Sequence, residues 1–271
     1  MGEVTFDLHT HHERCGHAEG KIEDYIKAAI EKEMNVIGIA DHSPYFAREE
    51  DHAFPRITMA KSDFPNYVSE VLQLKEKYRH KIHVLLGVEC DYFPGQMSKY
   101  QKGLSKYPFD YIIGSVHFVD DISIFKKGRW DGLTQKEKQK TKENYYHLIA
   151  QSAKSGMFQI LGHIDAMKGY YPEFSAIETP VIDETLQIIA EHKIAIEINT
   201  SGKTKDSGGW YPSDDILERA LFHDVYVTFG SDAHVPERVG DEFEAVKQRL
   251  KEIGFKEWVY YVQQKQQIVK L

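Results

Sequence analysis

His9 and His11 lie two residues apart at the end of an apolar run, residues 4–9 (VTFDLH), that reads as a β-strand. On a continuing strand such a pair projects to one side, and two imidazoles on one face can share a metal ion. The arrangement recurs along the chain. Residues 36–42 end in Asp41 and His42, residues 84–89 in Glu89, residues 111–117 in His117, residues 160–163 in His163, and residues 225–234 in Asp232 and His234. A seventh run, residues 195–199, ends without a strong ligand and offers Asn199, Thr200 and Ser201. His17 lies on the loop after His11. One histidine beside a strand is commonly structural. Recurrence at six strand ends points instead to one pocket, because the C-terminal ends of parallel strands converge. Fourteen histidines in 271 residues is an excess that such a pocket accounts for.

His9, His11, His17, His42, Glu89, His117, His163, Asp232 and His234 are too many ligands for one ion. Hard Mg²⁺ prefers oxygen donors, whereas a histidine-rich set suits Zn²⁺, Fe²⁺ or Mn²⁺. Two to three divalent transition ions is the natural number. Glu89, ending a buried strand, has the chemistry of an oxygen bridge between two cations. A closely spaced pair of cations can activate a water and clamp an in-line displacement at phosphorus. Hydrolysis of a phosphate ester is the reaction this set suits.

The elements that must hold these residues alternate. Helical spacing of apolar residues covers 22–32, 67–78, 133–155 (polar outside 145–153), 181–192, 216–223 and 243–253. Ser213 and Asp214 after Pro212 mark a helix start. Strand–helix alternation implies a parallel sheet with helical crossovers. Pocket residues at every strand end favour a closed, distorted barrel over an open sheet, which would gather its site at one switch point. No linker or low-complexity segment divides the chain, so residues 1–271 are expected to form one domain. Residues 43–64 lack periodicity and read as a long loop placed where a lid would be. Residues 258–271 read as a last strand and a short helix.

Composition narrows the setting. A hydrophobic content of 41% is ample for a packed core. No apolar run is long enough for a membrane span, and the N-terminus lacks the pattern of a signal peptide. Two cysteines, Cys15 and Cys90, do not make a disulfide framework, so a cytoplasmic location is expected. Cys90 faces away from Glu89 by strand alternation and reads as core packing. The net charge of −8 argues against a nucleic-acid partner. It permits a small phosphate ester, because bound divalent cations reverse the local charge of an acidic pocket.

DLHTHH with His17, then ADH, GVE, GSVH, GHID and FGSDAH, in this order, resemble the polymerase and histidinol phosphatase (PHP) family. The likeness runs from about Val4 to Gly240. CGHA at 15–18, RITM at 56–59, EINTSG at 197–202, YPS at 211–213 and SDAH followed by Pro236 are similar to its histidinol-phosphate phosphatase branch. The resemblance implies a distorted (β/α)₇ barrel with the metal centre at the C-terminal strand ends. It implies hydrolysis of L-histidinol phosphate to L-histidinol and phosphate in histidine biosynthesis, by a metal-activated bridging hydroxide.

Carried over by motif, one metal takes His9, His11, Glu89 and Asp232. Glu89 bridges to a second, held with His117 and His163, and a third takes His17, His42 and His234. Asp232 or a histidine beside it, such as His234, would protonate the leaving alkoxide. The branch leads one to expect arginines near GHID and after NTSG. This chain has Lys168, Lys203 and Lys205 there, which carry charge without a planar fork. Lys168, Lys205 and Arg56 are the candidate phosphate contacts. Tyr45, Phe46, Glu49, Glu50 and Asp51 are candidates for the amine and ring of the substrate. Asp7, Asp41 and Asp165 could orient imidazole N–H groups. The competing readings are a PHP phosphoesterase acting on a nucleotide or another small ester, a noncatalytic metal-binding PHP module, and an amidohydrolase-type enzyme on a related barrel.

Overall fold

Runs rich in Val, Ile and Leu that are buried along their whole length cannot be surface strands. They need cover on both faces, which parallel βα units provide. The computed structural model describes residues 4–271 and bears this out. Its strands are β1 Phe6–Asp7, β2 Val36–Ile39, β3 His83–Leu86, β4 Glu89–Asp91, β5 Ile113–Ser115, β6 Phe118–Val119, β7 Ile122–Ser123, β8 Ile160–Leu161, β9 Ala195–Asn199, β10 Tyr226–Gly230, β11 Glu257–Val262 and β12 Lys265–Lys270. Its helices are α1 Ile22–Glu31, α2 Phe64–Tyr78, α3 Met97–Leu104, α4 Gln135–Lys154, α5 Val181–Glu191, α6 Asp214–Phe222 and α7 Phe243–Ile253.

Two parallel sheets carry the centre, in the orders β1-β2-β3 and β10-β9-β8-β5-β4. Hydrogen bonds join them at both seams. β3 runs into β4 through Gly87 and Val88, and Ile113 N donates to Val88 O at 2.9 Å. At the other seam Leu8 N donates to Phe229 O at 3.2 Å, and His11 N to Ala233 O at 2.9 Å. Thr10 and Ala233 form a parallel bridge there. Main-chain bonding therefore passes from β1 round to β10 and back, as the expected barrel requires. The distortion lies in strand length, since β1 and β8 have only two residues each.

The interior beneath the site is filled by side chains. Tyr111 is fully buried and its hydroxyl donates to Leu8 O at 2.6 Å. Gly38 makes room for it, because a Cβ there would overlap the Tyr111 hydroxyl. Tyr67 from α2 donates toward Ile39 O and Gly87 O, tying its helix to β2 and the β3–β4 junction. α4 begins at Thr134, whose hydroxyl accepts from Glu137 N in a capping box. Its apolar contacts come from Tyr145, Tyr146, Ile149, Ala150 and Ala153, the stretch its sequence marks as unsolvated.

One helix goes unread in the sequence, and one expectation needs correction. α3 follows β4 although its sequence, MSKYQKGL, buries only Tyr100 and Leu104 and shows too short an apolar stripe to be read. The tail is not a strand and helix but an antiparallel hairpin, β11–β12. Gln263 and Gln264 turn it with φ of 51° and 61°, the left-handed pair a two-residue hairpin needs. Trp258 packs edge-on to Phe6 at 4.8 Å and lies 4.8 Å from Phe243, which docks the hairpin on β1 and α7. Among the described residues no helix is long and apolar enough to cross a membrane.

Candidate metal centre

Every one of the nine sequence-derived ligands comes to the same end of the barrel. His9 and His11 leave β1 with their rings 4.9 Å apart. The His11 ring lies 4.4 Å from that of His42, after β2, and 4.2 Å from that of His234, after β10. His117 and His163, after β5 and β8, have rings 5.0 Å apart. His17 arrives from its loop with its ring 4.8 Å from that of His234.

Glu89 stands in the middle, 2% exposed. Its Oε2 lies 2.8 Å from His42 Nδ1, 3.4 Å from His9 Nε2 and 3.6 Å from His11 Nε2. Its Oε1 lies 3.1 Å from His163 Nε2 and 3.5 Å from His117 Nε2, and accepts from Ser115 Oγ at 2.6 Å. One carboxylate thus faces both halves of the cluster.

Five of the ring nitrogens that face away from the cluster are anchored, whereas His163 Nδ1 is buried without a partner. His9 Nδ1 donates to Glu197 at 2.6 Å, His11 Nδ1 to Asp41 at 3.0 Å, and His117 Nδ1 to Asp91 at 2.8 Å. His17 and His234 use main-chain oxygens of Cys15 and Asp232. A proton held at Nδ1 leaves Nε2 as a lone pair aimed inward, the tautomer a metal ligand needs. The inward atoms crowd one another. His117 Nε2 is 3.3 Å from His163 Nε2, and His234 Nε2 is 3.0 Å from His17 Nε2. Tetrahedral bonds of about 2.0–2.1 Å to one Zn²⁺ place two nitrogens about 3.3–3.4 Å apart. The buried His9 Nε2 has no hydrogen-bond partner, and His11 Nε2 and Glu89 Oε2 meet only other members of the cluster, Asp232 Oδ1 at 3.0 Å and His42 Nδ1 at 2.8 Å. Such orphans are costly, and the donor set fits divalent transition ions that would pair them.

Charge is arranged to the same end. Burial disfavours ionisation of Glu89 and Asp232, yet the surrounding imidazoles hold both well below the usual carboxylate range. Burial opposes a charge on His11 too, and Asp232 and Asp41 overcome it, pushing it up to about 9. His17 and His234 are pulled down to about 4 and about 3, by burial first and by neighbouring imidazoles second. The acids are thus ionised and His17 and His234 neutral, while the carboxylates draw protons toward His9, His11 and His117, positive charge that a bound cation would replace. The ligand atoms of His9, His11 and Asp232, of His42, Glu89 and His117, and of His11, His42 and His234 each lie within 4.8 Å of one another. His42 therefore borders Glu89 and His11 as closely as the His17–His234 pair with which its motif groups it.

Local backbone serves the site. His163 and Asp232 adopt φ of 28° and 53°, left-handed values that non-glycine residues rarely take and that cluster at functional sites. Gly230 precedes the Ser231–Asp232 turn, and a Cβ there would overlap the Glu197 carboxylate.

Sequence reasoning placed the orienting acids only in part. Asp41 does orient His11. Asp7 instead accepts from Ser231 N, Ser231 Oγ and Gly240 N, bracing the β1–β10 seam. Asp165 holds Lys168 at 2.8 Å and accepts from Ser213 N. Glu197 and Asp91 were missed. Asp91 lies at i+2 from Glu89 and Glu197 at i−2 from Asn199, so strand alternation alone aims both toward the pocket. Cys15 lies buried beside His11 and Asp41, but burial pushes its thiol up, out of the thiolate range a ligand needs. Cys90 is fully buried, as core packing requires.

The basic residues differ in what they can do. Lys168 is buried and engaged by Asp165 and by Trp210 O at 2.7 Å. Lys203 pairs with Asp241 and Glu242. Lys205 extends its ammonium over the rings of Phe125 and Tyr170, 5.9 Å from each centroid. Arg56 is exposed on the 43–64 loop, whose main chain abuts Gly16 next to His17. In that loop Tyr45 packs on Phe54 and Phe93, and Phe46 on Phe64 and Tyr100. Asp51 accepts from Ser62, while Glu49 and Glu50 are exposed.

The family model for the PHP domain matches residues 7–201. A Deinococcus radiodurans protein named as a probable histidinol-phosphatase is 28% identical over 92% of this chain and 93% of its own. The histidinol-phosphatase of Bacillus subtilis is 28% identical over 90% of this chain and 98% of its own. The crystal structure of histidinol phosphate phosphatase from Lactococcus lactis, complexed with zinc, L-histidinol and phosphate, superposes with a TM-score of 0.80. It covers 97% of this chain and 98% of that one at 21% identity, and so shares the fold.

Proposed function

The chain belongs to the PHP domain family, and we propose that within it this protein is a histidinol-phosphate phosphatase, a metal-dependent phosphomonoesterase that converts L-histidinol phosphate to L-histidinol and phosphate. The curated relatives that align along nearly its whole length carry that activity in their names. The observation that carries the reading is Glu89, whose two oxygens face His9, His11 and His42 on one side and His117 and His163 on the other.

Two to three divalent ions (Zn²⁺, Fe²⁺ or Mn²⁺) suit this set. His9, His11, Glu89 and Asp232 would hold one, Glu89 with His117 and His163 a second, and His17, His42 and His234 a third. When bound, such ions supply Lewis acidity, which makes water nucleophilic at neutral pH and neutralises a phosphoryl group.

The chain's own residues do the remaining work. Glu89 carries the negative charge that lets two cations lie close. Glu197, Asp41 and Asp91 keep the proton of His9, His11 and His117 on Nδ1. Asn199 Nδ2 and Ser201 Oγ donate to Asp232 Oδ2 at 3.2 and 3.0 Å and fix its carboxylate. Asp232 and His234 flank the β10 end, where a proton must reach the leaving alkoxide. Lys205 is the cation best placed to meet phosphate. Lys168 keeps the β8 loop on Asp165 and Trp210 O, and Arg56 would have to swing in from the surface.

A net charge of −8 supports a small phosphate ester over nucleic acid, and a cytoplasmic setting goes with that substrate. The deciding experiment is phosphate release by the purified protein, with Mn²⁺ or Zn²⁺ added, from histidinol phosphate, nucleotides and sugar phosphates. Histidinol phosphate should exceed the others in kcat/KM by at least about tenfold. A nucleotide or sugar phosphate leading the series would assign another ester, and no turnover of any would make the domain a noncatalytic metal binder.

A further inference from the structure

The run at residues 195–199, which forms β9, is the one without a strong ligand at its end, and Asn199 closes it. Asn199 is fully buried. Its main chain is pinned to Tyr211 by two bonds: Asn199 N donates to Tyr211 O at 2.6 Å, and Asn199 O accepts from Tyr211 N at 2.9 Å. Its side chain is fully engaged. Oδ1 accepts from Ser201 N at 3.0 Å and from Ser201 Oγ at 2.7 Å. Nδ2 donates to Glu197 Oε2 at 2.9 Å and to Asp232 Oδ2 at 3.2 Å. An amide has two N–H donors and an oxygen with two lone pairs, so nothing is left over. Turned over, it would aim Oδ1 at two carboxylates and its NH₂ at the Ser201 N–H, and the network therefore allows one orientation only.

The two acids that the amide joins have different tasks. Glu197 holds His9 Nδ1 through Oε1. Asp232 sends Oδ1 into the cluster, 3.0 Å from His11 Nε2 and 3.9 Å from His9 Nε2. Its Oδ2 turns the other way, to Asn199 and Ser201. The single hydroxyl proton of Ser201 is divided between Asp232 Oδ2 at 3.0 Å and Asn199 Oδ1, which makes the amide the undivided donor to Asp232.

We infer that Asn199 is a positioning residue of this centre, whose amide holds two carboxylates side by side and leaves Asp232 only Oδ1 with which to meet a cation. This rests on reading the site as a metal centre and deepens that reading; it does not depend on which ester is hydrolysed. It also accounts for an amide at the end of β9. A third carboxylate beside Glu197 and Asp232 would repel both, whereas the neutral amide gives each a proton to share. Asn199 reaches two of the four ligands assigned to one ion, Asp232 directly and His9 through Glu197, so its influence falls on that ion first.

Asn199→Asp separates this role from a merely structural one. Asn199 also caps the turn Thr200–Thr204 by accepting from Ser201 N, and aspartate keeps that cap while replacing the shared donor by a negative charge. Asn199→Ser keeps a capping oxygen and adds no charge, but is too short to serve both acids, which guards against a variant that fails to fold because of its new charge. The test is reconstitution of wild type and variants with Co²⁺, which takes the same kinds of site as Zn²⁺ and Fe²⁺, read by chelator competition and visible absorption. In both variants about one equivalent of Co²⁺ per chain should weaken about 10–100-fold, with the rest held within about threefold. In Asn199→Asp the visible band should also lose intensity, because repulsion swings Asp232 Oδ2 toward the metal and Co²⁺ absorbs more weakly as its coordination number rises. Unchanged Co²⁺ affinity in both variants overturns the inference. So does an equal loss of every equivalent, which would make Asn199 a support of the fold alone, and so does tighter Co²⁺ binding by Asn199→Asp, which would make position 199 a ligand position. A wild-type protein that takes up no Co²⁺ overturns the metal reading, and the inference with it.

Discussion

Glu197 Oε1 lies 2.6 Å from His9 Nδ1, and both side chains are shut off from solvent. The same carboxylate accepts at Oε2 from His163 N at 3.1 Å and from Asn199 Nδ2 at 2.9 Å. One buried acid on β9 therefore sets the ring of a residue after β1 and the main chain after β8. Removing its charge should act through His9 rather than on the substrate. Glu197→Gln is expected to lower metal affinity about 10–100-fold and to reduce kcat at saturating Mn²⁺ much less. Competition with a chelator, read beside kcat at saturating metal, separates the two. Equal metal retention in variant and wild type would leave Glu197 as a packing residue.

Metal removal should abolish turnover and loosen the fold together. Elemental analysis is expected to find at least two equivalents per chain, and chelation to lower Tm, because a ligand bound only to the folded state stabilises it by mass action. The drop is expected because the apo site brings lone pairs such as His117 Nε2 and His163 Nε2 within 3.3 Å. A fully active preparation with less than one equivalent would sink the multinuclear reading.

Glu89→Gln should be far more damaging than its size suggests. The amide keeps the shape but loses the charge that offsets repulsion between neighbouring cations, and its NH₂ would face imidazole lone pairs. Metal content and activity should fall together, the activity by orders of magnitude. Wild-type turnover in this variant would show Glu89 to be an ordinary strand-end acid.

The ligands are legible in the sequence because nearly all of them end short apolar runs, and a parallel barrel turns that one-dimensional pattern into a pocket. The orienting acids are harder to read. Asp7, Asp41 and Asp165 all sit beside ligands, but adjacency in sequence does not say which way a carboxylate turns. Asp41 reaches an imidazole, whereas Asp7 braces the β1–β10 seam and Asp165 holds Lys168. Glu197 and Asp91 act across strands, on partners 188 and 26 residues away, and no local signal names those partners. The β11–β12 hairpin is hidden for another reason. Its turn is Gln263-Gln264 rather than the Asn-Gly that usually marks a left-handed pair.

Lys142 gives a pH prediction independent of the metals. It is 2% exposed, and its Nζ donates to Phe174 O at 2.9 Å and Ile177 O at 2.8 Å, just beyond the segment that carries Lys168 and Tyr170. Burial pulls its pKa down to about 8 from 10.5. A base whose folded value is depressed binds fewer protons folded than unfolded between those two values. Stability then rises with pH across about 8 to 10.5, and below about 8 the full cost of burying the ammonium is present. Each unit is worth about 1.4 kcal/mol, and residual hydration at the ammonium keeps the whole effect to roughly 1–3 kcal/mol. Lys142→Met removes the titration but leaves two carbonyls unpaired. The measurement is denaturant unfolding of wild type and variant at pH 7, 9 and 10. Buried tyrosines such as Tyr145 have raised values and favour unfolding at high pH, but they are common to both proteins and cancel in the difference. Wild type should gain on the variant as pH rises. A gap that stays constant would mean that Lys142 keeps its ordinary affinity for a proton inside the fold, with the two carbonyls supplying all the solvation that water would.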